Sequence, residues 1–219
     1  MQIFEDFNFH GKNMLEIRCG KGIFCVWATI HGARHVIGLD PFEKGSHRFE
    51  AKKTYSDFEK IKQSLKLGKM EILPFRLQDY ECEDNHYDLV LSVNSINHLD
   101  EKSCEALAKS QKAVESYLKI FGQIRDMMKD GGKLIILDVS NRNFFADHKM
   151  RNPFAKTIEW SKHQDPVLWA ELLSRCGFIE SKISWNSSRI LRYLRVYSIS
   201  KTISYFYNSS FRLEMICSK

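Results

Sequence analysis

An α/β fold, built on a mostly parallel sheet with helices on both faces, is what the sequence predicts, and three observations carry that expectation. Short β-rich or apolar runs alternate with longer amphipathic ones along most of the chain. The longer runs suit the right-handed helical crossovers that join parallel strands. At 219 residues, 43% of them hydrophobic, the chain can bury one substantial core and is short for two, so a single domain over residues 1–219 is expected.

The first strand is expected at Asn13 to Ile17, where "NMLEI" runs into the turn Arg18 to Gly22, and a helix follows from Gly22 to Ile30. The second strand, His35 to Leu39, ends in Asp40 and Pro41. A charged amphipathic run from His47 to Leu67 reads as a helix, Met70 to Leu77 as the third strand and Asp88 to Val93 as the fourth. A long helix from Glu101 to Met128 comes next, with Asp100 placed to cap it. "MMKDGGKLIILDVS" gives a Gly-Gly turn into the fifth strand, Lys133 to Val139. The helix Val167 to Cys176 has a start in Asp165 and Pro166 and a stop at Gly177. Two closing strands, Phe178 to Trp185 and Ser210 to Cys217, break the alternation, because a basic-aromatic segment at about 187–209 joins them instead of a crossover helix. That segment reads as an insertion, with Arg189, Arg192 and Arg195 among Leu191, Tyr193, Leu194 and Tyr197 in a pattern that suits a basic amphipathic helix.

Composition narrows the class. The six cysteines show no C-x-x-C pair and no charged-then-apolar leader opens the chain, so a cytoplasmic protein with reduced thiols is expected. No apolar run approaches the roughly 18 residues of a spanning helix. The formal charge of +6 is uneven: residues from Arg189 onward carry +5 and residues 1–188 only +1. A basic region of this kind faces phosphates, an anionic membrane surface or simply water.

The turn after the first strand has the strand, glycine turn, helix order that brings backbone amides to a ligand at a helix N-terminus. Gly20 and Gly22 permit close approach, and Glu16 adds a carboxylate at the strand end. Eighteen residues past Gly22, Asp40 closes the second strand, well placed to accept hydrogen bonds from both hydroxyls of a ribose. Asp79 follows the third strand in "FRLQDY", and "YDLVLSVNSINHL" supplies a fourth strand with a polar loop after it. Cys25 stands where G-x-G-x-x-G would have its third glycine, which disfavours a nicotinamide cofactor.

On these residues the chain resembles the class I S-adenosylmethionine-dependent methyltransferases, over about residues 11–140 by motif and loosely to the C-terminus through "LWAELLSRCGF" and "FRLEMICSK". The resemblance implies a Rossmann-like, seven-stranded sheet with an antiparallel last strand, S-adenosylmethionine as cofactor and S-adenosylhomocysteine as product. It implies that Glu16, Gly20 and Gly22 line the methionine part of the cofactor, with Cys19 contributing backbone. Asp40, followed by Pro41, would hold the ribose; Gln78, Asp79 and Tyr80 would flank the adenine; Asn94 would close the site near the sulfonium. Arg18 departs from the family pattern, which has glycine there: its side chain crowds the turn, points away or pairs with the cofactor carboxylate. Retained cofactor binding is the expectation.

A sulfonium is already a strong electrophile, so the protein's main task is to align a nucleophile and exclude water, with a base needed only for a protonated acceptor. In the loop Asn94 to His98, His98 alone has a pKa suited to that work, although packing at the helix entry is the plainer role for it. Asp138 and Arg142 are pocket candidates that surface turn contacts explain equally well. The loop lacks the Asn/Asp-Pro-Pro-aromatic motif of amino-methylating nucleic-acid enzymes, no Pro-Cys nucleophile appears, and no carboxylate or His/Cys cluster is spaced for a metal. The expected function is metal-independent methyl transfer to oxygen or nitrogen of a small-molecule acceptor. An RNA methyltransferase docking through the basic C-terminal region is one alternative; a catalytically silent scaffold on the same fold is the other. The insertion itself reads as a lid, a contact to anionic lipid or RNA, or a solvated helix. Oligomeric state is not specified by the sequence.

Overall fold

The computed structural model describes residues 4, 7–42, 51–65, 67–187 and 196–219. Its strands are β1 Asn13–Ile17, β2 His35–Leu39, β3 Met70–Leu73, β4 Tyr87–Val93, β5 Met128–Val139, β6 Phe178–Asn186, β7 Ser198–Ile199 and β8 Ser210–Cys217. Among the described residues they form one eight-stranded sheet in the order β3-β2-β1-β4-β5-β8-β6-β7. Pairing from β3 through β5 is parallel. The strand β8 runs antiparallel to both β5 and β6, and β7 antiparallel to β6. The expected mostly parallel sheet with an antiparallel closing strand is present, and β7 adds a two-residue edge strand to the seven expected.

The helices are α1 Ile23–Ile30, α2 Ala51–Ser64, α3 Glu101–Ala106, α4 Gln111–Met127, α5 Phe144–Asp147, α6 Pro166–Ser174 and α7 Lys201–Tyr205. The three largest departures from expectation each have a local reason. The strand β3 stops at Leu73 because Pro74 has no amide to continue the ladder, and Leu77–Asp79 form a 3-10 turn instead. The helix expected over Glu101 to Met128 is two helices: the Ser110 side chain accepts from the Ala113 amide and restarts the chain as α4. The strand β5 already begins at Met128, and Gly131, at φ 72°, lies within it rather than in a turn before it. Residues 47–50 of the expected second helix lie outside the described residues, as do Arg189, Leu191, Arg192, Tyr193, Leu194 and Arg195 of the expected basic helix.

Side chains alternate across the sheet into two cores. Leu15, Ile17, Leu39 and Ile136 face α3, α4 and α6, where Trp169, Tyr117 and Phe121 pack. Met14, Val36, Leu91 and Ile135 face Cys25, Ala28 and Phe58 on the other side. Burial on both faces accounts for the near-continuous apolar strands. The helix α6 is positioned by its ends: the Asp165 carboxylate accepts from the Val167 amide at 2.9 Å, and Gly177, at φ 92°, ends it where a Cβ would fall 2.8 Å from Arg125 Nε. No helix among the described residues is long and apolar enough to cross a membrane.

Trp169 is fully buried, its ring 5.0 Å from Tyr117 and 5.9 Å from Phe121. Trp169→Ala is expected to lower unfolding free energy by about 3–5 kcal/mol, the usual loss when a large buried ring is truncated, measured as a shifted urea midpoint at unchanged slope.

Candidate functional site

The turn joining β1 to α1 is held from two sides by carboxylates. On its outer side, Asp40 Oδ2 accepts from the Gly20 amide at 2.9 Å while Oδ1 accepts from the Phe42 amide at 2.8 Å. The turn closes on itself through Gly22 N–H to Cys19 O, at 2.9 Å. Arg18, Gly20 and Gly22 all have left-handed backbone, at φ 54°, 53° and 65°. That conformation accounts for glycine at the Arg18 position in the family pattern; a side chain there costs about 1–2 kcal/mol. Gly22 is required for space as well, since a Cβ would fall 2.6 Å from Ile72 Cδ1 and 3.3 Å from the Phe58 ring. At Gly20 a Cβ would meet nothing within 4 Å, so the backbone is open to the cleft.

Beneath the turn, Glu16 is buried and its Oε2 accepts from the Cys25 amide at 3.1 Å and from the Cys25 thiol at 3.0 Å. Burial pushes the carboxyl up to about 8, the two bonds from Cys25 opposing it only in part. The thiols of Cys19 and Cys25 fill the space above Gly38, where a Cβ would lie 2.6 Å and 3.0 Å from their sulfurs. A carboxylate, two thiols and a glycine thus form the floor of the turn.

Two adjoining cavities open above it. One, of about 540 Å³, is lined by Glu16, Arg18, Cys19, Gly20, Asp40, Asn94, Ser95 and His98. The other, of about 590 Å³, is lined by Arg18, Pro41, Arg76, Leu77, Gln78, His98, Leu99, Glu101, Lys119 and Gln123 among others. Arg18 and His98 border both, so the cavities are lobes of one cleft at the carboxyl ends of β1, β2 and β4. Of the residues singled out from sequence, Gly22, Asp79, Tyr80, Asp138 and Arg142 line neither lobe. Gly22 serves packing, Asp79 is exposed on its 3-10 turn, and the Tyr80 hydroxyl bonds to the Tyr87 hydroxyl at 2.7 Å.

Several lining residues were not anticipated. Lys119 and Gln123 stand one turn apart on α4, and Gln123 Nε2 donates to Leu77 O and Tyr80 O, fixing the turn that carries Gln78. Their spacing on one helix face was a usable signal. Glu101 is another: its Oε1 lies 2.5 Å from His98 Nδ1, and that bond holds its carboxyl below the usual range. A second pair lies deeper. Asp138, 1% exposed at the end of β5, stands 3.1 Å from His163 Nδ1, and its Oδ2 has no hydrogen-bond partner among the described residues. A lone histidine in a polar loop gave no sign of this. Arg142 turns outward, 3.7 Å from Asp147.

Because Glu16 titrates near 8 in the fold and near 4.5 when unfolded, its contribution to stability is fully present below pH 4.5 and is lost as pH rises through 8. Glu16→Gln is therefore expected to flatten the pH dependence of unfolding free energy in that window and to gain on the wild type, by a few kcal/mol at most, at pH 8. Gly22→Ala, which combines a strained φ with the 2.6 Å contact, is expected to cost about 1–3 kcal/mol in the same denaturation experiment.

Comparison with known proteins identifies the family and the fold. A family profile described as "Methyltransferase domain" matches residues 2–179. A tRNA U34 carboxymethyltransferase of Marinobacter nauticus is 30% identical over 88 residues, which is 40% of this chain; the chain covers about a quarter, 24%, of that relative. Among solved structures, a SAM dependent methyltransferase from Aquifex aeolicus superposes with a TM-score of 0.63 at 12% identity, over 99% of this chain and 88% of that one. The phosphoethanolamine N-methyltransferase 2 of Haemonchus contortus, in complex with S-adenosyl-L-methionine, gives 0.66 at 16% identity over 99% of this chain and 50% of its own. The chain belongs to the methyltransferase domain family, and its fold is the Rossmann-like one of the solved S-adenosylmethionine-dependent methyltransferases.

Proposed function

We propose that the chain transfers a methyl group, without a metal, to oxygen or nitrogen of a small-molecule acceptor, and that His98 is the base. The observation that carries this reading is the His98–Glu101 pair on the boundary between the two lobes. The residues suit the cofactor: the open backbone at Gly20 admits close approach, and Asp40 offers a carboxylate at the rim. Glu16, Cys19, Gly20 and Asn94 would then hold the methionine end and Asp40 the ribose, with Pro41, Gln78, Asp79 and Tyr80 toward the adenine. Arg18, in the wall shared by both lobes, stands beside that ligand.

When bound, S-adenosylmethionine supplies a methyl group on a positively charged sulfur. The chain has to align an acceptor with it and take one proton. With Nδ1 turned to Glu101, His98 Nε2 is the nitrogen that receives the proton from the acceptor's O–H or N–H. Ionised Glu101 then offsets the charge of the imidazolium, as a carboxylate does behind a catalytic histidine. A cytoplasmic setting fits the six thiols, none of them in a disulfide.

The RNA reading draws on the Marinobacter relative and on the basic C-terminal residues, and it requires binding that falls steeply with salt. The silent-scaffold reading requires a folded protein that does not bind cofactor.

Calorimetric titration is expected to give micromolar binding of S-adenosylmethionine and S-adenosylhomocysteine, lost in Asp40→Ala, which melts lower because the Gly20 and Phe42 amides lose their acceptor but is still folded at the titration temperature. Absence of binding by folded wild type would favour the scaffold. His98→Asn is expected to retain cofactor affinity while lowering turnover by about 10²–10⁴-fold in a screen of hydroxyl and amine acceptors, the range a positioned base supplies. Turnover unchanged by that substitution would remove His98 as the base.

A further inference from the structure

Two segments leave the sheet side by side at the edge that carries the cleft. One follows β5 and the other precedes β8, and these strands pair at Val139 and Ser210. Buried asparagines stitch the segments together: Asn143 Nδ2 donates to Tyr205 O and Ser209 Oγ, each at 3.0 Å, and Asn152 Nδ2 to Tyr207 O at 2.7 Å. Ring contacts continue the seam, Phe144 to Phe206 and Phe154 to Tyr207, both at 5.0 Å. Inside it is ordered and polar.

Its outer side is unlike the rest of the surface. Phe154 is 57% exposed, Ile203 56%, Phe206 51% and Met150 45%. Lys149, Arg151, Lys156 and Lys201 are exposed among them, and none forms an ion pair with a described carboxylate. The one acid within these segments, Asp147, is engaged by Arg142 and by the Tyr205 hydroxyl. Large apolar side chains interleaved with unneutralised cations match an interface that is apolar a few ångströms below a negatively charged layer.

We propose that this face, residues 144–156 with 196–206, docks on an anionic phospholipid surface. Lipid is favoured over a nucleic acid and over a second copy. Half of the exposed apolar side chains, Met150 and Ile203, are aliphatic and offer no ring for base stacking, whereas an acyl layer takes them and the rings of Phe154 and Phe206 alike. A second copy of the chain in a twofold contact would set the same cations against each other. Docking there would turn the rim of the cleft toward the bilayer. The inference stands on surface chemistry alone and is independent of His98 and of the acceptor.

The test is co-sedimentation of the full chain with vesicles of phosphatidylcholine and of phosphatidylcholine with phosphatidylserine. Binding is expected to the serine-containing vesicles only and to be released by salt. Phe154→Ser with Phe206→Ser, and separately Lys149→Glu with Arg151→Glu, are each expected to weaken it by about tenfold or more. Both double variants are expected to keep the wild-type cofactor titration, which separates lost docking from lost folding. Failure to sediment with anionic vesicles overturns the proposal. So does binding that both double variants leave intact. Retention of a single-stranded RNA, or dimer formation, that these substitutions abolish in the absence of vesicle binding would overturn it in favour of that other occupant.

Discussion

The carboxylate of Asp40 joins backbone on two sides of the sheet's carboxyl edge, accepting from Gly20 with one oxygen and from Phe42 with the other. The turn it holds has three left-handed residues within five, a shape that free chain rarely keeps. Glu16 secures the same turn from below through the amide and thiol of Cys25. Between the two acids the backbone at Gly20 is presented to the cleft, and Arg18 becomes the wall shared by both lobes. Loosening either acid therefore shifts the backbone that faces the cleft and the entry of α1 together.

The parts of this design that were legible in the sequence are those with a local physical signature. The strand β1, its turn and Asp40 are visible because burial on both faces makes the strands apolar throughout and because the acid lies at a fixed distance beyond the glycines. The ends of α6 were legible because Asp165, Pro166 and Gly177 each act on their own backbone. The break between α3 and α4 was not, because the apolar stripe continues across it and one serine decides the matter. The edge strand β7 has two residues and no pattern to read.

Within the cleft the same division holds. Glu16, Arg18, Gly20, Asp40, Gln78, Asn94 and His98 were named from motif and line it. Glu101 was missed although it lies only three residues from His98, because no motif marks it; His163, which lines neither lobe, was missed because only folding brings Asp138 to it. The two carboxylate–histidine pairs also differ in kind. His98–Glu101 lies at the cleft, partly open to solvent; Asp138 and His163 approach to 3.1 Å where the loop before α6 meets the end of β5, with little access to water and no hydrogen bond between them. Proximity of the same two residue types thus produces an open hydrogen-bonded pair in one place and a buried, unbonded approach in the other.

The position of β8 bears on how the chain is made. It lies between β5 and β6, so β6, synthesised earlier, has only β7 and β8 as sheet neighbours. The strands β1 to β5 pair among themselves and are free to assemble as the nascent chain emerges, with the outer edge of β5 open until β8 arrives. The strand β6 must wait with an unsatisfied edge until residues 210–217 have left the ribosome. Its exposed face carries Glu180 and Lys182, charges that discourage pairing with a neighbouring chain during that interval. Assembly of this half of the sheet thus runs against the direction of translation.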